Sequence, residues 1–221
     1  KNKSEILSSR VDSVHILGEA ISKSEKPPKL WLNSSTATIY EGSLTREMTE
    51  KDGVIGNDFS MGVAKSWEKA FFEWDHLETR MIAMRISLVL GNEGGVLPVF
   101  EKQAKIGLAG VHASGNQKFS WIHITDLIRL IDYFQSHQET KGVYNCTAPV
   151  VTNNREFLKE LRTVLNVKFG LPSPKWMLKI GTFLLRTETE LILKSRNVIP
   201  ARLSEEGFEF KFKTIKSALN D

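Results

Sequence analysis

The stretch MIAMRISLVL, residues Met81 to Leu90, decides the fold. It is apolar apart from Arg85 and Ser87, and Gly91 follows it. An unbroken apolar run of this length is typical of a central parallel strand that is covered on both faces. The sequence therefore predicts one long buried strand, which ends where Gly91 breaks the pattern.

Two helices and a second strand are predicted on the amino-terminal side of this run. Apolar residues recur at helical spacing from Ile6 to Ile21 and from Val63 to Trp74. Between them, the apolar run Leu30 to Leu32 leads into the polar string Asn33 to Thr36, which indicates a buried strand with hydroxyl groups at its carboxyl end. Strand, helix and strand with these periods form a βαβ unit, so we expect an open α/β sheet.

The second half of the chain is predicted to mix α and β elements. The predicted helices begin at Thr125 or Asp126, at Thr152 and at Ser173, and the predicted strands span Phe119 to Ile124, Val143 to Cys146 and Gly207 to Phe212. His123 and Asp126 are expected to cap a helix and to form hydrogen bonds between the lobes. The helix from Ser173 includes the apolar stretch Trp176 to Leu185, for which core packing is the expected role.

Composition excludes several classes of protein. The 221 residues are 41% hydrophobic and 25% charged, which is typical of a globular chain. The longest apolar stretch falls short of the roughly 20 residues that a membrane span needs. A single cysteine, Cys146, predicts a reducing, cytoplasmic location and an inert buried thiol. The five histidines show no metal-ligand spacing.

The positive charge of the chain does not indicate a nucleic-acid partner. The net charge is only +4 and is spread over both halves. Lys211 and Lys213 alternate with Phe210 and Phe212, so a strand here would place the two rings on the face opposite the lysines. A solvated edge strand is therefore expected. We expect a small-molecule ligand, with no nucleic acid and no membrane.

Several motifs resemble a known family. The segment Ser35 to Gly42, STATIYEG, is similar to the hydroxyl-bearing strand end of the extended short-chain dehydrogenase/reductases. The chain is identified as a member of their atypical, NAD(P)-dependent epimerase-like branch, whose members end in a C-terminal domain of unknown function. The further matching stretches, in family order, are Ser9 to Val11, Trp67-Glu68, Arg85 to Gly91, Gly94-Gly95, Gly115 to Gln117, Trp121 to Leu127, Asn145 to Pro149, Pro200 to Leu203 and Gly207-Phe208.

The resemblance implies an architecture and a cofactor. It implies a Rossmann-like parallel sheet with helices on both faces, plus a smaller α+β carboxyl-terminal lobe. It divides the chain into a partial NAD(P)-binding domain, residues 1–110, and a mixed substrate lobe and carboxyl-terminal domain, residues 111–221, whose elements interleave. The implied cofactor is NADP or NAD.

The family's Gly-rich phosphate loop is not found in this sequence. That loop binds phosphates through backbone amides and the helix dipole. Gly107 and Gly110 neither follow a buried strand nor open a helix, so they are not a substitute. We expect the loop to lie before Lys1, in a part of the fold that has on the order of 70 to 80 residues, or two strand-and-helix units. Without that part, the sheet is expected to have an open edge.

The resemblance also assigns the site residues. Thr36 occupies the Ser/Thr position of the family and is the predicted catalytic residue. Glu5, Arg10, Ser35 and Val89 are the predicted cofactor-binding residues. Arg10 can fork onto a phosphate, and its alternative role is a solvated charge. For Val89 the predicted contact is made by the backbone, and the alternative is core packing.

The usual tyrosine and lysine of this superfamily are missing. Hydride transfer there normally uses a tyrosine phenol and a lysine four residues later on the same helix face. Alignment on Trp67-Glu68 places Ser60 and Ala64 at these positions, and Lys65 is about 100° out of phase. Tyr40 is the nearest phenol and is expected to pack behind the strand end.

Two functions therefore stay open at this stage. One is an NAD(P)-dependent oxidoreductase or nucleoside-diphosphate-sugar epimerase-like enzyme that acts on an unidentified small molecule. The other is a catalytically inactive dinucleotide-binding sensor or scaffold protein of the same fold.

Overall fold

The structure, a computed structural model, describes residues 2–172 and 194–221. Its helices are α1 (Asn2–Ser22), α2 (Phe59–Phe72), α3 (Leu97–Lys105), α4 (Ile124–Ser136), α5 (Asn154–Val164), α6 (Ala201–Glu205) and α7 (Ile215–Leu219). Its strands are β1 (Leu30–Thr36), β2 (Arg80–Ile86), β3 (Leu88–Gly91), β4 (Gly94–Gly95), β5 (Lys118–Phe119), β6 (Trp121–His123), β7 (Gly142–Cys146) and β8 (Thr152–Asn153). The helix predicted from Ser173, with Trp176 to Leu185, lies outside the described residues.

The main sheet contains three parallel strands in the order β1-β2-β7. Thr36 pairs with Ile86, and Ile86 pairs with Cys146, so the three strands end in register at one edge. The strands predicted at residues 30–36 and 143–146 are confirmed. Among the described residues, β1 pairs only with β2, so its outer edge carries no strand.

Helices cover both faces of the main sheet. Successive side chains of a strand point to opposite faces, and each face meets a different set of helices. On one face, α1 and α2 bury a cluster with β1 and β2 that contains Val14, Trp31, Phe71, Met81 and Ala83. On the other face, α4 buries a cluster that contains Ile82, Met84, Leu130, Phe134 and Tyr144. The predicted α/β class with helices on both faces is confirmed.

The single long strand predicted at Met81 to Leu90 is wrong, because the structure has two strands there. β2 ends one residue before Ser87 and β3 begins one residue after it. The backbone N–H and the hydroxyl of Ser87 both donate to the carbonyl of Cys146, at 3.1 and 3.2 Å. The chain then leaves β7 and pairs with β6. The polar residue inside the apolar run therefore marks a change of partner strand.

The remaining elements form a smaller α+β lobe. β5 pairs antiparallel with β8. The ring of Phe119 in β5 stacks on Phe157 of α5, with centroids 4.8 Å apart. α3, α5 and α7 share a buried cluster that contains Leu97, Ala104, Leu158, Leu161, Ile215 and Leu219. The division into residues 1–110 and 111–221 stays a prediction; β7, from the second half, pairs with β2 from the first.

The strand predicted at Gly207 to Phe212 is not formed. Phe210 and Phe212 are buried, as the alternation indicates. The backbone N–H groups of Lys211 and Phe212, however, donate to the two carboxylate oxygens of Asp126, each at 2.8 Å. A side chain thus takes the place of a neighbouring strand, so the expected edge strand is wrong although the burial pattern is right.

The starts of α4 and α5 differ slightly from those predicted. His123 caps α4, and its ring Nδ1 accepts a hydrogen bond from the N–H of Thr125 at 3.3 Å. Asp126 lies in the first turn and reaches the carboxyl-terminal segment. The predicted capping role of His123 and hydrogen-bonding role of Asp126 are seen, and their placement between two lobes stays a prediction. Asn153 caps α5, one residue after the predicted Thr152.

The contribution of the Asp126 hydrogen bonds to stability can be measured. Asparagine keeps one acceptor oxygen and so loses one of the two bonds from the backbone N–H groups. A hydrogen bond to a charged group contributes about 1.5–3 kcal/mol, so we expect Asp126→Asn to lower the free energy of unfolding by about 2 kcal/mol. Denaturant titration followed by tryptophan fluorescence gives the value. Asp132→Asn, exposed on the same helix, is the control and should stay within about 0.5 kcal/mol. Equal losses of unfolding free energy in the two variants would contradict a stabilising role of the Asp126 hydrogen bonds.

Candidate functional site

Thr36 lies at the carboxyl edge of the main sheet, where open parallel sheets bind ligands. It pairs with Ile86 in the last row of the sheet and is half-buried. Its Oγ1 accepts a hydrogen bond from the N–H of Thr38 at 3.1 Å and so caps a 3₁₀ turn, Ala37–Ile39. Among residues 2–172 and 194–221, the Thr36 hydroxyl donates no hydrogen bond. The hydroxyl therefore caps the turn and keeps a donor at the edge.

A buried polar row crosses the sheet one residue before this edge. Ser35 pairs with Arg85, and Arg85 pairs with Asn145. All three are buried. We call Ser35, Arg85 and Asn145 the polar row. The polar row comes one residue before the last row of the sheet, which consists of Thr36, Ile86 and Cys146.

Glu68 of α2 neutralises the guanidinium of the polar row. Its Oε1 accepts from Arg85 Nε at 2.8 Å, and its Oε2 accepts from Arg85 Nη2 at 2.7 Å. The Ser35 hydroxyl donates to Oε1 at 2.5 Å. Burial lowers the pKa of Arg85, but the hydrogen bonds with Glu68 and its negative charge outweigh burial, so the net shift of that pKa is upward. The guanidinium stays charged.

Tyr40 continues the network from the far end of the 3₁₀ turn. Its phenol oxygen accepts from Arg85 Nη1 at 2.6 Å, and its hydroxyl donates to Asn145 Oδ1 at 2.9 Å. The ring is fully buried. Burial raises the pKa of Tyr40, although the charge of Arg85 opposes the shift. Tyr40 packs behind the strand end, as expected, and does not present a phenol to the edge.

The positions of the missing tyrosine and lysine carry no ionisable group. Ser60 is half-buried and Ala64 is fully buried on α2. Lys65 is exposed, and its Nζ donates to Asn57 Oδ1 at 2.8 Å. Lys65 therefore does not take over the position of Ala64.

Glu5 and Arg10 lie on the exposed side of α1. The guanidinium of Arg10 lies over the ring of Trp67, with its carbon 5.2 Å from the centroid. Trp67 immediately precedes Glu68 in α2, so Arg10 is placed beside the helix that supports the polar row. Glu5 lies in the first turn of α1. Their contacts with a cofactor stay predictions.

The side chains of Val89 and Ser35 are both engaged within the protein. Val89 packs its half-buried side chain against the cluster under α4. Its carbonyl oxygen lies 3.4 Å from the point where a Cβ on Gly95 would sit, and Gly95 has a φ of 72°. The hydroxyl of Ser35 is committed to Glu68. A contact of either residue with a dinucleotide would be made by its backbone.

Other reactive side chains are held in neutral forms. Burial raises the pKa of the Cys146 thiol, and burial lowers the pKa of His112.

Within residues 2–172 and 194–221, no group of three or more His, Cys, Asp or Glu could hold a metal ion. Over the same ranges, no helix combines the length and the apolar character needed to cross a bilayer.

Comparison with known proteins places the chain in a family. Residues 173–221 match the profile described as domain of unknown function (DUF1731). The epimerase family protein SDR39U1 of Mus musculus is 32% identical over 219 residues, which cover 98% of this chain and 73% of that protein. Epimerase family protein SSP1921 of Staphylococcus saprophyticus is 31% identical over 220 residues, 99% of this chain and 72% of that protein. The chain belongs to this epimerase family.

Solved structures confirm the architecture of this epimerase-family chain. The crystal structure of human epimerase family protein SDR39U1 (isoform 2) with NADPH has a TM-score of 0.90 and 30% identity, over 99% of this chain and 73% of that one. The nucleoside-diphosphate sugar epimerase from Corynebacterium glutamicum has a TM-score of 0.79 and 23% identity, over 98% of this chain and 42% of that one. The latter similarity shows the fold alone. The Rossmann-like fold and the carboxyl-terminal domain predicted from the motifs are confirmed.

No site role is predicted from the sequence for Glu68, Arg85 or Asn145. A signal was present in Arg85, because a guanidinium inside a buried apolar strand has to be paired. The partners could not be identified, since Glu68 lies 17 residues from Arg85 and Tyr40 lies 105 residues from Asn145.

The raised pKa values of the tyrosine phenols predict an alkaline limit to stability. Burial is the largest cause of the raised pKa values of Tyr40, Tyr133 and Tyr144, which are the three tyrosines of this chain. Their stabilisation is complete below the unfolded pKa of about 10 and is lost as pH rises through the folded values. Tyrosinate absorbance should therefore appear at higher pH in the folded chain than in the chemically unfolded chain. Coincident titration curves would contradict the raised pKa values of these phenols.

Proposed function

We propose that the protein binds NADP(H) or NAD(H) at the carboxyl edge of the main sheet and acts as an oxidoreductase or epimerase-like enzyme on a small molecule. One observation carries the proposal: the chain resembles, with a TM-score of 0.90 over 99% of its length, a family member that was crystallised with NADPH. Loops diverge and helix N-termini converge at this edge of a parallel sheet, which suits an anionic nucleotide.

Thr36 is the proposed catalytic residue. It is half-buried in the last row of β1, and its hydroxyl proton is not used by the described residues. A hydroxyl in this position can donate to the reacting oxygen of a substrate and stabilise negative charge that develops there. The capping bond from Thr38 fixes the oxygen while leaving the proton for the substrate.

Glu5, Arg10, Ser35 and Val89 are the proposed cofactor contacts. Arg10 is exposed and lies on Trp67, from which its fork of donors can reach a phosphate. Ser35 and Val89 would contribute backbone groups. The choice between NADP and NAD stays open within the proposal.

A second function is favoured by the positions of Ser60 and Ala64. These residues leave the expected acid/base positions without an ionisable group, and the nearby phenol of Tyr40 is buried. A protein of this kind that kept the cofactor without the chemistry would be a dinucleotide-binding sensor or scaffold. Binding alone is common to both functions, and turnover separates them.

A cytoplasmic location belongs to the same proposal. The single cysteine, Cys146, is a buried free thiol, and a chain without disulfides suits a reducing compartment.

Cofactor binding is the first test. Titration of the full-length protein with NADPH and NADH, followed by fluorescence and calorimetry, should show saturable binding. Arg10→Ala should weaken it about tenfold or more, as expected when a charge-assisted bond to phosphate is lost. Lys26→Ala, an exposed cation after α1, is the control and should bind normally. If neither nucleotide binds saturably, the proposed function is lost; if the two variants bind equally, only the role of Arg10 is lost.

Turnover is the second test. A panel of carbonyl compounds and sugar nucleotides should contain a substrate for which Thr36→Val lowers kcat by about 10²-fold, the loss typical of one donor to a developing oxyanion. Thr36→Ser keeps the hydroxyl and should retain activity. Tight NADPH binding without turnover of any compound would favour the sensor, and full activity of Thr36→Val would remove Thr36 from the mechanism.

A further inference from the structure

The 3₁₀ turn that follows Thr36 is held at both of its ends by the same ion pair. Before the turn, the hydroxyl of Ser35 donates to Glu68 at 2.5 Å. After the turn, Tyr40 accepts from Arg85 at 2.6 Å. Glu68 and Arg85 are themselves joined by two hydrogen bonds of 2.8 and 2.7 Å. The backbone from residue 35 to residue 40 is thus a short loop whose two ends meet on one guanidinium–carboxylate pair.

Both carboxylate oxygens of Glu68 accept hydrogen bonds from the residues around this loop. Oε1 receives both Ser35 and Arg85, and Oε2 receives Arg85. The Glu68 and Arg85 side chains are each only 9% exposed, so water does not compete for these bonds. Glu68 stands on α2, whose neighbouring residues Ala70 and Phe71 are packed in the core. The packing of α2 therefore fixes the position of the carboxylate, and the end of β1 is hydrogen-bonded to it.

Stability alone does not account for this arrangement. A buried ion pair contributes little net stability, because desolvation of the two charges offsets their attraction, and apolar replacements of similar volume are often as stable. What an apolar pair could not do is direct hydrogen bonds to Ser35 and Tyr40 at once. The geometry instead suits a role in placing the segment between them, in which Thr36 is the half-buried hydroxyl.

We propose that Glu68 is a positioning residue: by accepting the Ser35 hydroxyl and fixing Arg85 against Tyr40, it holds the Thr36 hydroxyl at the place where the substrate oxygen reacts. This rests on the proposed function, because it is the role of Thr36 there that gives the placement its purpose. Ser35 acts in this scheme through Glu68, and its hydroxyl is not a ligand-binding group.

Glu68→Gln is the variant that tests the proposal. Glutamine has nearly the same shape, but its amide nitrogen would face the donor of Ser35 or of Arg85 where an acceptor is needed. We expect the amides of Thr38 and Tyr40, which close the turn, to exchange hydrogen about tenfold faster, the size expected when a bond to a charged group is lost. Exchange is measured by mass spectrometry on the full-length protein, over peptides spanning residues 35–41.

Two controls separate placement from general stability. Leu158→Ala makes a cavity in α5, in a different buried cluster, and denaturant is adjusted until both variants have the same global stability. Ser34→Ala removes an exposed hydroxyl next to Ser35 and should leave the turn unchanged, whereas Ser35→Ala should loosen it. For any substrate that the panel identifies, Glu68→Gln should lower kcat while NADPH affinity changes less than about threefold, a split that mere destabilisation does not produce.

The possible outcomes are distinct. Faster exchange confined to the turn in Glu68→Gln and Ser35→Ala, beyond that of Leu158→Ala, supports the proposal. Exchange that rises uniformly along the chain and equals that of Leu158→Ala overturns it, as does a substrate turned over by Glu68→Gln at the unmodified rate. If the unmodified protein fails to bind NADPH, the proposed function fails, while the exchange result still decides whether Glu68 holds the turn.

Discussion

A guanidinium buried in the middle of a parallel sheet has to be neutralised, and in the main sheet Glu68 neutralises Arg85 through two hydrogen bonds. The pair joins α2 to β2 and receives Ser35 from β1. Through Tyr40 it reaches Asn145 of β7. One charged pair therefore connects all three strands of the main sheet just beneath their carboxyl edge. The apolar clusters on the two faces exclude water from the pair, and its hydrogen bonds are stronger in this surrounding than they would be in water.

The same use of buried polar groups holds the carboxyl-terminal segments onto the sheet. Asn145 donates from its side chain to the carbonyl of Ile199 at 3.0 Å, and its backbone N–H donates to Glu50 at 2.9 Å. Asp126 accepts two backbone N–H groups from the last segment of the chain. The segment around Ile199 also pairs through its backbone with Met48. Buried side chains thus add to the few backbone bonds that hold these segments.

Local patterns in the sequence were sufficient for the elements with regular periodicity. The α1 and α2 helices and the strands at residues 30–36 and 143–146 follow directly from apolar spacing, and the motif order leads to the family. The patterns failed at two places. The single strand expected at Met81 to Leu90 is interrupted at Ser87, which binds the Cys146 carbonyl. The strand expected at Gly207 to Phe212 is not formed, and two of its backbone N–H groups bind the side chain of Asp126.

The site shows the same limit. Thr36 at the strand end could be predicted because a hydroxyl at the end of a buried strand has a fixed place in an α/β sheet. The direction of the Ser35 hydroxyl could not, since it is set by Glu68, which lies 33 residues away along the chain. The resemblance to a family supplied expected roles, and only three-dimensional pairing distinguished a hydroxyl that faces the edge from one that supports it.

We propose that the reacting centre lies at Thr36, above an intact Arg85–Glu68 pair. The decisive experiment is a crystal structure of the full-length protein with bound NADPH. We expect the nicotinamide ring to lie over the carboxyl edge of β1, within reach of a substrate atom that is hydrogen-bonded to the Thr36 hydroxyl, and we expect Ser35 still to donate to Glu68. A nicotinamide bound away from Thr36, or a Ser35 hydroxyl turned from Glu68 onto the cofactor, would contradict it.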